Sequence, residues 1–204
     1  MRTVDLHRWN GFPAIAAIVA VSSLGQGRVE GLGAERRFVS EKYRFSMGVP
    51  PGWHVSLARD TPLYVNFDQE QGRSPLHLPK KGAVIVVVAQ EKLPNPNRLG
   101  NTPGDWARVD AQGISSGNPS IKPLEMPNAS KVSQAVLSSY DIATFGPDDQ
   151  AQHCEALFWK FEDKLLAAHM TYVAHDPNGP ALEKLFVETV RSIRPLKEAS
   201  KPRA

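Results

Sequence analysis

One cysteine, Cys154, stands in a chain of 204 residues. A single thiol excludes an intramolecular disulfide framework and any multi-cysteine zinc or iron–sulfur centre. Charge of one sign is also scarce. The 24 Lys+Arg oppose 21 Asp+Glu, and the formal net charge of +3 is too small to argue for nucleic acid. The apolar run Phe12–Val21 falls well short of the roughly 20 residues needed to cross a bilayer. No internal repeat is visible. What the chain does have is 41% hydrophobic and only 22% charged residues, enough to bury the core of one ordinary domain.

That apolar run follows Arg2 and His7-Arg8 and precedes the small residues Ser22, Ser23, Gly25 and Gly27. A basic start, a short apolar stretch and small residues at the −3 and −1 positions make a secretory signal over 1–27. Ser23-Leu24-Gly25 and Gly25-Gln26-Gly27 both offer a cleavage site. No cysteine follows the run, so a bacterial lipoprotein anchor is not available, and no membrane span remains after cleavage. Arg36-Arg37 with Lys42 and Arg44, and the tail Lys197–Arg203, read as solvated surface.

Residues 28–40 are glycine-rich and charged, which predicts a flexible lead-in. A single domain is expected over 41–196, with a mobile basic tail over 197–204. Tyr43–Val49 and Trp53–Leu57 alternate apolar and polar around Pro50-Pro51-Gly52, predicting a hairpin-like pair of strands. Leu63–Phe67 is a third strand. Ala83–Ala89 is a β-branched run suited to a central strand covered on both faces. Thr102-Pro103-Gly104-Asp105 opens a helix, with Thr102 as cap and Pro103 in the first position. Val132–Phe145, Ala151–Phe161 and Leu165–His175 are three further β segments, the last two joined tightly at Glu162-Asp163-Lys164. A closing helix carries Leu182, Leu185, Phe186, Thr189 and Ile193 on one face. The expected fold is α+β: an α/β/α sandwich with a mostly antiparallel sheet of about six strands and a helix on each face.

Two short segments carry a resemblance. Tyr43-x-Phe45-Ser46-x-x-Val49-Pro50-x-Gly52-Trp53 resembles the opening of PsbP-like domains, and the closing Ser192-Ile193-Arg194 at a helix end is similar to theirs. That superfamily includes the photosystem lumenal subunit PsbP, the nuclear Ran-binding Mog proteins and bacterial envelope proteins such as DcrB. The resemblance implies a scaffold that acts by binding proteins or assisting assembly, with no shared catalytic site. No motif here matches the Ran-binding or photosystem-binding residues of those relatives.

The chemical candidates are few. Gly113-Ile114-Ser115-Ser116-Gly117 matches G-x-S-x-G, but helix precedes it and Asn118-Pro119 follows, the reverse of a nucleophile elbow. His169 and His175, six apart on one strand, would lie about 20 Å from each other, too far to share a metal. If Glu162-Asp163 forms the turn, His169 pairs near residue 156 rather than beside His153. His153 and Glu155 share a strand face while Cys154 turns away, so a metal would need ligands imported from distant loops. His175-Asp176 reads as a strand end followed by a turn residue that helps cap the closing helix. No catalytic residue, metal or cofactor is therefore expected.

The two Pro/Asn-rich loops, 68–81 and 93–101, remain. Long irregular loops beside a rigid sheet are where binding concentrates. Arg73, His77, Lys80, Lys81 and Arg98 lie in them, with fewer acidic residues. The expectation is an exported, non-enzymatic protein of a bacterial envelope, periplasmic or secreted, whose loop rim meets an unidentified envelope protein or an anionic surface. Two rivals stand beside it: a secreted serine hydrolase using Ser115, and a periplasmic binder of a small ligand.

Overall fold

A computed structural model describes residues 27–57, 64–69, 79, 81–90, 102–115, 117–127, 132–142, 150–161 and 164–196. In chain order the elements are β1 (Arg28–Glu30), a 3-10 turn at Gly33–Glu35, β2 (Arg37–Ser40), β3 (Phe45–Gly48), β4 (His54–Leu57), β5 (Tyr64–Asp68) and β6 (Ala83–Gln90). There follow α1 (Pro103–Ile114), β7 (Ser120–Pro123), β8 (Val132–Ile142), β9 (Gln152–Phe161), β10 (Lys164–Val173), α2 (Gly179–Arg191) and β11 (Arg194–Pro195). The strands form a seven-stranded sheet in the order β4-β5-β6-β10-β9-β8-β7 and a four-stranded sheet in the order β1-β2-β3-β11. All of these pairings are antiparallel. The class is α+β.

The period of two sorts the side chains of β9 between two apolar clusters. Leu157, Trp159 and Phe161 join one, which Leu182, Phe186 and Val190 of α2 close together with Phe38, Phe45 and Met47 of the small sheet. Cys154, Ala156 and Phe158 join the other, closed by Trp106, Ala107 and Ala111 of α1. Trp106 meets Phe158 edge-on at 5.6 Å, and Phe45 meets Trp159 edge-on at 6.4 Å. Aromatic pairs in that geometry contribute about 0.5–1.5 kcal/mol beyond their buried area. The α1 start is as its sequence implies: Thr102 Oγ1 accepts from the Asp105 N–H at 3.1 Å, with Pro103 next to the cap.

Three expectations need correction. The main sheet has seven strands, not about six, and a second sheet joins it that the sandwich did not include. Residues 28–40 are not a loose lead-in: they supply β1 and β2, and Phe38 is fully buried. Their charge is neutralised locally, Arg28 pairing with Glu30 at 2.6 Å and Glu41 at 3.0 Å. Arg37 leaves the surface cluster and turns inward, donating to the Ser46 hydroxyl at 3.1 Å and to the Ser192 carbonyl at 2.6 Å.

The third correction concerns the expected hairpin. The Pro50-Pro51-Gly52 turn forms, with Gly52 at φ +78° and the Trp53 N–H donating to the Pro50 carbonyl at 3.1 Å. The strands on either side nevertheless enter different sheets: β3 pairs with β2 and β11, and β4 pairs with β5. Two successive prolines remove two N–H donors that a ladder continuing to the turn would use. The two motif segments meet in the small sheet instead. The Gly48 N–H donates to the Ser192 hydroxyl at 2.7 Å, and Arg194 pairs with Ser46. A Cβ on Gly48 would sit 2.9 Å from that hydroxyl oxygen, so glycine lets the strand approach the helix end. Ile193 is wholly buried beside them.

Candidate functional site

Each helix covers a polar row on its face of the large sheet. Beneath α2, strand register places Asp141 of β8 and Tyr172 of β10 on either side of His153 of β9. His153 Nδ1 donates to Asp141 Oδ1 at 2.7 Å. Its Nε2 lies 3.2 Å from Glu155 Oε1 and 3.2 Å from the Ser139 hydroxyl. The helix brings Glu183 to the same place, where it accepts from the Tyr172 hydroxyl at 2.7 Å. His153, Glu155 and Glu183 each present a donor atom within 4.8 Å of the other two.

The electrostatics follow from that crowding. Glu155 is 94% buried and takes its one described hydrogen bond from His153. That bond, with the one to Asp141, outweighs partial burial and holds the imidazole up to about 9. Burial first, then Glu183, pushes the Tyr172 phenol upward. In neutral water His153 is therefore a cation held among carboxylates.

Beneath α1, Asp110 accepts from the Tyr140 hydroxyl at 2.6 Å and lies 3.2 Å from His169 Nε2. Phe158 meets the His169 ring edge-on at 5.4 Å. Burial alone would raise the Asp110 carboxyl, but the His169 and Tyr140 bonds outweigh it and hold the group below its ordinary value. Cys154 sits deeper in the same face, fully buried, its thiol pushed up to about 12 by burial above all. It is a core group, packed with Ala156 and Phe158 of the same strand face.

His169 pairs with Ala156, as the tight turn predicted, so it and His153 face opposite sides of the sheet. His175 does not share a strand with His169. The strand β10 stops at Val173, and His175 occupies a left-handed turn at φ 63°. Asp176 closes a local turn, its carboxylate accepting from the Asn178 N–H at 2.8 Å, and does not cap α2, whose start at Asn178 has no side-chain cap bond.

Ser115 follows α1 and bridges to Ile142. Its hydroxyl donates to the Gly117 carbonyl at 2.6 Å and accepts the Gly117 N–H at 3.1 Å, so it is closed into a turn rather than raised on an elbow. It lines an open depression of about 420 Å³ with Arg108, Gln112, Asn118 and Pro119. Among the described residues, no histidine or carboxylate lines that depression.

Of the loop residues singled out, Arg73, His77, Lys80 and Arg98 lie outside the described residues, and Lys81 is exposed just before β6. The flanks of the first loop are fixed. The Ala83 N–H donates to Gln69 Oε1 at 2.9 Å, and Gln152 Nε2 donates to the Pro79 carbonyl at 3.1 Å. Sequence reasoning missed Glu183, because nothing in the spacing of a closing helix says which strand row its polar edge will meet. A register argument between β8, β9 and β10 held the signal for Asp141 and Tyr172.

No family model and no curated protein matches the chain. Solved structures of similar fold are found. A crystal structure from Bacteroides thetaiotaomicron VPI-5482 is 11% identical at a TM-score of 0.50, over 82% of this chain and 51% of that one. This chain therefore spans about half the length of that protein. The solution structure of cyanobacterial PsbP (CyanoP) from Synechocystis sp. PCC 6803 is 15% identical at 0.49, over 81% of this chain and 94% of that one. A protein of unknown function, PA94 from Pseudomonas aeruginosa, described as a putative regulator, is 13% identical at 0.36, over 80% and 95%. At these identities the likeness is one of fold.

Proposed function

We propose that this chain is an exported, non-catalytic binding domain of the bacterial envelope, and that its loop rim over 68–81 and 93–101 meets a partner protein. The observation that carries the reading is the anchoring of the first loop. Gln69 and Pro79 are both tied to the sheet through amide side chains, one of them in a buried setting. Arg73, His77 and Lys80 stand between or beside those anchors in the sequence, and exposed Lys81 follows. A loop held at both flanks presents its charges at lower entropic cost than a free one. Among the described residues Leu32 is the one large apolar side chain left exposed, so an apolar docking face has no support there and a charged rim suits the rest.

Export rests on the signal pattern of residues 1–27, all but Gly27 of which lie outside the described residues. Gly27 itself bears on where cleavage falls. A Cβ there would come within 2.6 Å of the Phe38 ring and collide with the Val39 carbonyl oxygen, so the residue packs against β2. That favours cleavage after Gly25, which keeps Gly27 with the domain. Fractionation and N-terminal sequencing check this: the expected product is envelope-located and starts at Gln26, whereas an intact N-terminus in the cytoplasm would refute export. Binding is checked by cross-linking capture from native envelope extract. Charge reversal at Lys80, Lys81 and Arg98 is expected to abolish a saturable partner. Undiminished capture by the reversed protein would refute the rim.

A further inference from the structure

Among the described residues, the row beneath α2 gathers two carboxylates, Glu155 and Glu183, around one imidazole, His153. Glu155 is buried, faces no lysine or arginine among the described residues, and meets a single imidazole. Glu183, on the overlying helix, faces the same imidazole and has the Tyr172 hydroxyl as its described hydrogen-bond partner. Two carboxylates from different elements, with one nearly enclosed, converge on one nitrogen.

We propose that His153 Nε2, Glu155 and Glu183 form a binding site for a divalent first-row transition ion. Three features of the geometry argue for it. First, two ligands on a tetrahedral zinc, bonded at about 2.0–2.1 Å, stand roughly 3.3 Å apart. His153 Nε2 and Glu155 Oε1 are already 3.2 Å apart. Second, Glu183 offers a carboxylate oxygen within 4.8 Å of a ring nitrogen of His153 and of a carboxylate oxygen of Glu155, which places a third donor at the same point. Third, the outer groups that orient ligands are in place. His153 Nδ1 donates to Asp141 at 2.7 Å, which fixes the ring and directs Nε2 inward, and the Tyr172 hydroxyl donates to Glu183 at 2.7 Å. Ligating imidazoles and carboxylates are held by such second hydrogen bonds.

The donor set selects the ion. One imidazole nitrogen and two carboxylate oxygens, without a thiolate, suit zinc and its first-row neighbours. Calcium takes six to eight oxygen ligands, more than this row supplies. Any proton on Nε2 leaves to water as the ion takes the lone pair. With Glu183 on α2 and the other two ligands on β9, the ion would tie helix to sheet.

The test is calorimetric titration of zinc into the full chain after chelator treatment, with calcium in parallel. The expected result is one zinc per chain, no competition from calcium, and a melting temperature raised by zinc. Glu183→Gln keeps the size of a half-exposed side chain, and His153→Gln removes the nitrogen. Each is expected to weaken zinc binding by at least about tenfold and to abolish the thermal shift, while His169→Gln on the opposite face leaves both intact. Melting of each variant without metal shows whether it is folded. Should either variant fail to fold, Glu155→Gln takes its place. Zinc binding that is absent in the wild type, or unchanged in folded variants, would overturn the site.

Discussion

Replacing Tyr140 by phenylalanine removes one hydroxyl and leaves the ring. Tyr140 is only 3% exposed and its ring packs in the cluster under α1, so the substitution opens no large cavity. What disappears is the 2.6 Å bond to Asp110. A hydrogen bond to a charged group contributes about 1.5–3 kcal/mol. The Asp110 side chain is 26% exposed, so water reaches the vacated oxygen and the lower part of that range, about 1.5–2 kcal/mol, applies. In a domain of this size that is about 3–8 °C in melting temperature. Urea unfolding should show a lower midpoint at unchanged slope. A cycle with Asp110→Asn should return a coupling of about 0.5–3 kcal/mol. The pH dependence has a definite sign. Because Asp110 is held below its ordinary value of 3.8, its contribution is present above that pH and is lost as pH falls through the lower, folded-state value. A destabilisation below about 0.5 kcal/mol, or one that persists undiminished in strong acid, would refute the view that this triad clamps α1 to the sheet.

Two other outcomes follow from the packing. Cys154, fully buried with its thiol raised to about 12, should react with thiol reagents only as fast as the protein unfolds; rapid stoichiometric labelling under native conditions would contradict its burial. Phe186→Ala, at a fully buried position between α2 and the sheet, should cost about 3–5 kcal/mol in chemical denaturation, and a loss under about 1 kcal/mol would mean that α2 does not pack there.

Elements with a strong local signal were legible in the sequence. The Thr102-Pro103-x-Asp105 start, the buried stripe Leu182, Phe186 and Thr189, and the pairing of His169 with Ala156 all follow from period, capping and turn length. Apart from β3, which lies within the expected strand Tyr43–Val49, the small sheet was not legible. Its strands are two to four residues long, and β1 and β2 are masked by Gly31, Gly33 and a run of charges whose partners include Glu41 and Ser192. Ser192 lies 155 residues from the Arg37 it accepts from, and no local pattern encodes such a contact. The same limit applied to the candidate site. His153 and Glu155 share a face by alternation alone, but Glu183 reaches them only through the tertiary placement of α2. Gln152 is similar: its tie to Pro79 spans 73 positions and meets the flank of a loop that composition could only mark as irregular.

The most direct measurement is lysine cross-linking of the full chain to its partner in native envelope extract, with the linked lysines read by mass spectrometry. Lys184 on α2, with its side chain 78% exposed, and exposed Lys122 on β7 serve as internal references away from the rim. Links are expected through Lys80 and Lys81, and they should vanish when Arg98 alone is charge-reversed with both lysines left in place. Links confined to Lys184 or Lys122 would contradict it and move the binding surface elsewhere on the fold.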